Sequence, residues 1–390
     1  MMLQNKYNII LLYRNMSNSL KIAILSQNDV RNSPGIIIDE FENQTPDIYV
    51  EFTQEDRRSP SDPSTIIASE FLQSMQPPII SSLNSNETKQ NIITKLFVKN
   101  ELVIQYKNTG SMPVLAAKAT TSTNVKGFFK NAAVSIAQST IASKTKGSSY
   151  IKVAINNLPF LFVNLHLPID TSDKKTLGVK YRKNSMIKIL NHLKTKNLYD
   201  ENTIIIVGGD LNFRIFPNPA NPDLYEDQLT KILENSNELP IPLKEITSDL
   251  ENSNQIFTCK FQKEADYQNT DTLEHCREQP IPHRMSDIKT VQSNCGDKKR
   301  IPSRCDRFLL TKPDNIKIDV LLNKSHYIKE IDSDHNAIYS ILEILPEQKG
   351  IDNIEKTNVK DDNNIIPTKG GKKEKTTKKT RKNKRKTRKI

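Results

Sequence analysis

Residues 203–207 read Thr-Ile-Ile-Ile-Val, a β-branched apolar run without a polar break, and Gly208-Gly209-Asp210-Leu211-Asn212 follows at once. Such a run is a strand buried on both faces, and it belongs at the centre of a sheet covered on both sides. At its end, two glycines let the backbone turn tightly or approach another group closely. Asp210 and Asn212, two apart, share one face if the chain stays extended. A carboxylate beside a carboxamide can hold a water and a phosphoryl oxygen at once, which displacement at phosphorus requires. The same pair also closes ordinary turns after buried strands, so its meaning depends on what else the chain carries.

Short β-type runs recur at 21–25, 47–52, 95–99, 102–106, 132–137, 150–155, 160–165, 203–207, 308–310, 316–322 and 337–342. Helical patterns interrupt them. The clearest is 182–196, where Met186, Ile187, Ile189, Leu190 and Leu193 form an apolar stripe; 224–235 and 65–75 are the others. Many strands with few long helices predict two packed sheets flanked by helices. The stretch 262–298 is polar, lacks periodicity and carries His275 and His283, so it reads as a long substrate-facing loop.

Net charge is +12 over 390 residues, but residues 369–390 hold 13 of the 57 Lys and Arg and one of the 45 Asp and Glu. The remainder is balanced at 44 of each, so the basic character belongs to a tail and says nothing about the body's substrate. The chain divides into an N-terminal extension (1–19), a body (20–346), a linker (347–368) and a polybasic tail (369–390), the last two expected to be disordered. Cysteines 259, 276, 295 and 305 show no Cys-x-x-Cys spacing, and neither a secretory signal nor a membrane span is evident. The expectation is free thiols in an intracellular, soluble protein.

Further blocks accompany the first. Gln54-Glu55 ends a strand-like segment; Asn164-Leu165-His166-Leu167 ends another; Pro302-Ser303-Arg304-Cys305-Asp306-Arg307 opens a third; and Ser333-Asp334-His335 precedes a fourth. With Gly209-Asp210-Leu211-Asn212-Phe213-Arg214, these resemble, in order, the motifs of the inositol polyphosphate 5-phosphatases within the endonuclease/exonuclease/phosphatase superfamily. The resemblance covers roughly residues 20–345. It implies an α/β (α+β) fold of DNase I type, a four-layer sandwich of two central mixed β-sheets flanked by helices.

The activity so implied is removal of the 5-phosphate from inositol polyphosphates or phosphoinositides by direct in-line attack of water, with Mg²⁺ as cofactor. Glu55 is the expected metal ligand, with Asn28 of Ser26-Gln27-Asn28 beside it. Asp210 orients and deprotonates the water, Asn212, His166 and His335 hold phosphoryl oxygens, and Asp334 supports His335. Lys126, Lys130, Arg182, Arg214, Lys260 and Arg307 are the cations for a multiply phosphorylated ring.

Lys126-Gly127-Phe128 resembles the branch acting on soluble inositol phosphates, whereas Phe257-Thr258-Cys259-Lys260 resembles the lipid-acting branch with Cys in place of Tyr. Arg304 stands where the family has Trp, which bears on packing and specificity before activity. Two other classes stay open: a nuclease of the same superfamily, and a silent inositol phosphate or membrane-binding protein. The tail suits any polyanion, whether anionic membrane or nucleic acid, or a nuclear localisation signal, and it resembles tails on proteins of large DNA viruses.

Overall fold

The computed structural model describes residues 19–62, 64–84, 90–114, 145–169, 175–235, 239–246, 258–259, 277, 281–282, 284–295, 303–331 and 333–346, all within one compact unit. The runs at 132–137 and 369–390 lie outside them, as do Lys126, Lys130 and Lys260.

Among the described residues fourteen strands are formed: β1 (Leu20–Asn28), β2 (Ile48–Asp56), β3 (Ile79–Leu83), β4 (Asn91–Val98), β5 (Ile104–Pro113), β6 (Gly147–Ile155), β7 (Leu158–His166), β8 (Ile204–Asp210), β9 (Ile215–Pro217), β10 (Tyr225–Asp227), β11 (Lys244–Glu245), β12 (Asp306–Thr311), β13 (Ile316–His326) and β14 (Ala337–Pro346). The α-helices whose bounds lie among the described residues are α1 (Asp39–Gln44), α2 (Lys175–Thr195), α3 (Gln228–Glu234) and α4 (Met285–Cys295).

One six-stranded sheet has the order β13-β14-β1-β2-β4-β3 and the other β11-β12-β8-β7-β6-β5. Each is mixed, with one parallel pair near its centre, β1 with β2 and β7 with β8. The sandwich of two mixed sheets expected from the sequence is therefore the fold. Strand alternation builds it: Ile22, Ile24, Phe160, Phe162, Ile204 and Ile206 fill the core between the sheets. Their neighbours Leu161, Val163, Ile205 and Val207 pack outward with Met186, Ile189, Leu190 and Leu193 of α2. Ala23 and Leu25 pack outward on the first sheet with Phe41 of α1. Central strands with both faces covered favour apolar residues at every position, which is why 204–207 carries no polar residue. Each such side chain contributes about 1.5–3 kcal/mol on burial.

Several local readings change. Of the helix expected at 65–75, only a single 3₁₀ turn forms at Ser69–Leu72. Ile67 is drawn instead into a parallel bridge with Ile36, and the Ile66 N–H donates to Glu51. The helix expected at 224–235 starts at Gln228, because Tyr225–Asp227 pairs with β9 and Asp227 caps the helix by accepting from the N–H groups of Leu229 and Thr230. The stretch 262–298 contains α4, whose Met285, Ile288, Val291 and Cys295 bury a helical stripe with Ile215 and Ile281.

The expectation of free thiols is corrected: Cys259 and Cys305 form a disulfide, and none of the described cysteines is free. Spacing gave no sign of this bond because the two cysteines are 46 residues apart in sequence. They meet where Cys259 forms an isolated bridge with Ser303. The argument from reduced thiols to an intracellular compartment falls with them. No helix among the described residues is long and apolar enough to cross a membrane.

Candidate active site

Strand register gathers the polar residues. Both parallel pairs end together: Asn28 lies opposite Gln54, and His166 opposite Asp210. Asp306, first residue of β12, also lies opposite Asp210, and Gly147, first residue of β6, opposite His166. Chemistry-bearing side chains of both sheets thus meet along one edge of the sandwich. Below them Asn164 joins the sheets, donating to the carbonyls of Thr53 and Ile93 and accepting from Gln54 Nε2 at 2.7 Å.

The two glycines do what the sequence suggested. A Cβ on Gly208 would lie 2.6 Å from the Phe308 ring and 2.8 Å from Phe52, and one on Gly209, where φ is +117°, would lie 2.2 Å from the Leu165 carbonyl oxygen. The chain does not stay extended beyond them, however. Asn212 is left-handed, with φ 54°, a conformation that Asn tolerates. Its side chain folds back to donate to Asp210 Oδ2 at 2.9 Å, while its backbone N–H donates to Oδ1 at 3.0 Å.

Asp210 is the hub. Asn28 Nδ2 donates to Oδ2 at 2.9 Å, and His166 Nε2 lies 3.4 Å from the same oxygen. Burial would raise this carboxyl, but the His166 hydrogen bond and the charges of His335, His166 and Lys146 outweigh it and hold it well below the usual carboxylate range. Asp210 therefore stays ionised with its lone pairs directed by fixed donors.

Glu55 sits where the β2–β4 register shifts, in a left-handed conformation with φ 49°. The irregularity leaves its carboxylate partly exposed, 3.4 Å from Lys146 Nζ and 3.6 Å from His166 Nε2. Burial raises the Glu55 carboxyl, but His166 and Lys146 bring it below its ordinary value. Lys146 itself is buried and its Nζ contacts His166 Nε2. Burial, then the Lys146 charge, push the His166 imidazole down against the pull of the Asp210 and Glu55 carboxylates.

His335 completes the cluster from the turn before β14. Its Nε2 lies 3.3 Å from Asn28 Nδ2, and its Nδ1 lies 2.8 Å from Asp306 Oδ2. Asp334, which the sequence reading makes its support, is 3.6 Å from Nε2 and partly exposed. Burial raises the Asp306 carboxyl against the charge and hydrogen bond of His335, and its Oδ1 is buried without a partner among the described residues. Ligand atoms of Asp210, Asp306 and His335 lie within 4.8 Å of one another. With the Glu55 carboxylate and the Asn28 amide nearby, this oxygen-rich set fits a hard divalent cation.

The expected substrate cations are placed differently. Arg214 donates to Asn212 Oδ1 at 3.2 Å and to Cys259 Sγ at 3.4 Å, standing behind that amide. Arg182 is buried against the Phe213 ring and donates to Gln228 Oε1, which also accepts from the Arg214 N–H. Arg307 is buried between Asp227 and Glu245, and Glu245 also pairs with Arg304. Two residues in the cluster went unread in the sequence: Lys146 as a cation inside it, and Asp306 as the partner of His335.

The family model described as Endonuclease/Exonuclease/phosphatase family 2 matches residues 15–341. No curated protein sequence matches the chain. Among solved structures, the inositol polyphosphate 5-phosphatase domain of SPsynaptojanin, complexed with inositol (1,4)-bisphosphate and a calcium ion, is 16% identical, covers 88% of this chain and 91% of its own, and superposes with a TM-score of 0.47. A Cimex nitrophorin mutant in its ferrous NO complex is 14% identical, with coverage of 84% and 98% and a TM-score of 0.50. A humanized D. rerio TDP2 is 13% identical, with coverage of 83% and 98% and a TM-score of 0.41. At these identities the likeness is one of fold.

Proposed function

This chain belongs to the endonuclease/exonuclease/phosphatase family 2, and on that premise we propose that it is a Mg²⁺-dependent phosphomonoesterase removing the 5-phosphate of inositol polyphosphates or phosphoinositides. The observation that carries the reading is the ionised Asp210 ringed by Asn28, Asn212 and His166, with Lys146 and His335 at its sides. A carboxylate so fixed orients a water for in-line attack, and the surrounding donors stabilise charge as it develops on phosphoryl oxygens. Lys146 and His335 are the groups for those oxygens, and Asn212 holds the nucleophile's partner oxygen. Glu55, with Asn28 beside it, would hold the Mg²⁺, which would neutralise the developing charge. The Cys-Asp-Arg block supports the inositol phosphate branch, and the balanced charge of the body disfavours a long nucleic-acid track.

Phosphate release by the full chain with Mg²⁺ tests this, comparing inositol 1,4,5-trisphosphate, short-chain phosphatidylinositol 4,5-bisphosphate and an abasic-site oligonucleotide, with Glu55→Ala as control. Release from either inositol substrate, lost in the control, supports the phosphatase and chooses its branch. Oligonucleotide cleavage without phosphate release replaces it with a nuclease, and silence on all three favours a binding protein.

A further inference from the structure

The geometry points to Arg277 as a positioning residue that sets His335 by clamping the backbone of the turn that presents it. Arg277 comes from the 262–298 stretch, far in sequence from every motif block. Its side chain is fully buried, and its guanidinium donates to the Ser333 carbonyl at 2.7 Å and to the His335 carbonyl at 3.4 Å. It stacks on the Tyr327 ring, 4.3 Å from the centroid. The clamp is reciprocal, because Asn336 Nδ2 donates back to the Arg277 carbonyl at 2.8 Å.

Withdrawing a permanent cation from water is costly, and here the return is hydrogen bonds to the carbonyls of one short turn. That turn has other ties. The His335 N–H donates to Ser333 Oγ, Ser333 Oγ to the Asn28 carbonyl, and the Asn336 N–H to the Thr258 carbonyl. These fix the turn to β1 and to residue 258, whereas Arg277 fixes it from outside both sheets. The planar fork spans two carbonyls of the turn, which a single-point donor cannot reproduce. Loss of the fork takes the 2.7 Å donor from the buried Ser333 carbonyl and leaves the His335 carbonyl to Gln27 Nε2 at 3.4 Å, and the turn relaxes to find another donor. His335 Nε2 then shifts relative to Asn28 and Asp210, and small displacements of a reacting group are expensive in rate.

The activity arm of the test rests on the phosphatase reading; the exchange arm does not. In full-length Arg277→Met, kcat on inositol 1,4,5-trisphosphate with Mg²⁺ should fall about 10- to 100-fold. KM should stay within about threefold, since substrate cations are untouched. Amide hydrogen exchange should rise in peptides spanning 331–338 and remain unchanged in β7 and β8. In a His335→Ala background, adding Arg277→Met should change the rate by less than about twofold, which a general structural role would not produce.

Arg277→Lys should be intermediate in rate and exchange, and it is the variant to read if Arg277→Met does not fold. Multiplicative losses in the double variant overturn the assignment, as does unchanged exchange in 331–338. If the wild type releases no phosphate from any substrate, the phosphatase reading fails by itself and the exchange arm decides Arg277 alone.

Discussion

His166 and His335 stand on either side of Asp210, yet they are held by opposite means. His166 is a strand residue, paired in register with Gly147 on one side and Asp210 on the other, and its near neighbour is the cation Lys146. His335 lies on a turn, and its ring is fixed by the carboxylate of Asp306. The first imidazole is placed by backbone ladders that no single side-chain change removes. The second depends on a handful of side-chain hydrogen bonds, each of which a point substitution can delete. The histidine beside a cation is pushed toward its neutral form, and the histidine beside a carboxylate has its Nδ1 engaged, so that Nε2 faces the site.

The common anchor gives the largest effect. Asp210→Ala should abolish turnover, by roughly 10³-fold or more, with the native circular dichroism spectrum retained; measurable activity near wild type would remove it from the mechanism. On the His166 side, Lys146→Met should lower kcat by about 100-fold, as loss of a charge-stabilising donor does elsewhere. A change confined to KM would make it a ground-state binder instead. On the His335 side, Asp306→Asn should cost between about 10- and 100-fold, read as kcat in steady-state assays. Asp334→Ala should be the mildest, less than about threefold, because that carboxylate is farther from the ring and more exposed. Equal losses for the two aspartates would erase the distinction between a fixed partner and a bystander.

Much of the fold was legible because burial on both faces leaves a plain trace. The unbroken run at 203–207 marks a central strand, and the even and odd positions of 160–163 divide between the inner core and the helix-covered face. Lys146 was legible too, though unread. Asn156 and Asn157 both adopt positive φ, as a two-residue hairpin turn requires, and counting nine residues outward on each side brings Gly147 opposite His166. Lys146 immediately precedes that glycine. The stripe of α4 was likewise present at helical spacing within a stretch whose overall polarity hid it.

The partner of His335 was not legible, because sequence adjacency favours Asp334. Only the antiparallel pairing of β12 with β8 carries Asp306 to the same edge. Arg182 and Arg307 read as candidate phosphate cations for a related reason: a sequence displays the charge but not the Gln228, Asp227 or Glu245 that meets it inside.

The Cys259–Cys305 bond closes a loop around everything between those residues, including α4 and Arg277. A chain nicked anywhere in that interval would remain one covalent molecule, with residue 258 still joined to the start of β12. The interval is therefore a cassette: its length and sequence can drift while its two ends stay fastened beside the site, because loop closure is settled by the bond rather than by the intervening residues. Among the described residues, the clamp on the Ser333–Asn336 turn, the α4 stripe packed with Ile215 and the Cys259–Ser303 bridge limit what may be exchanged.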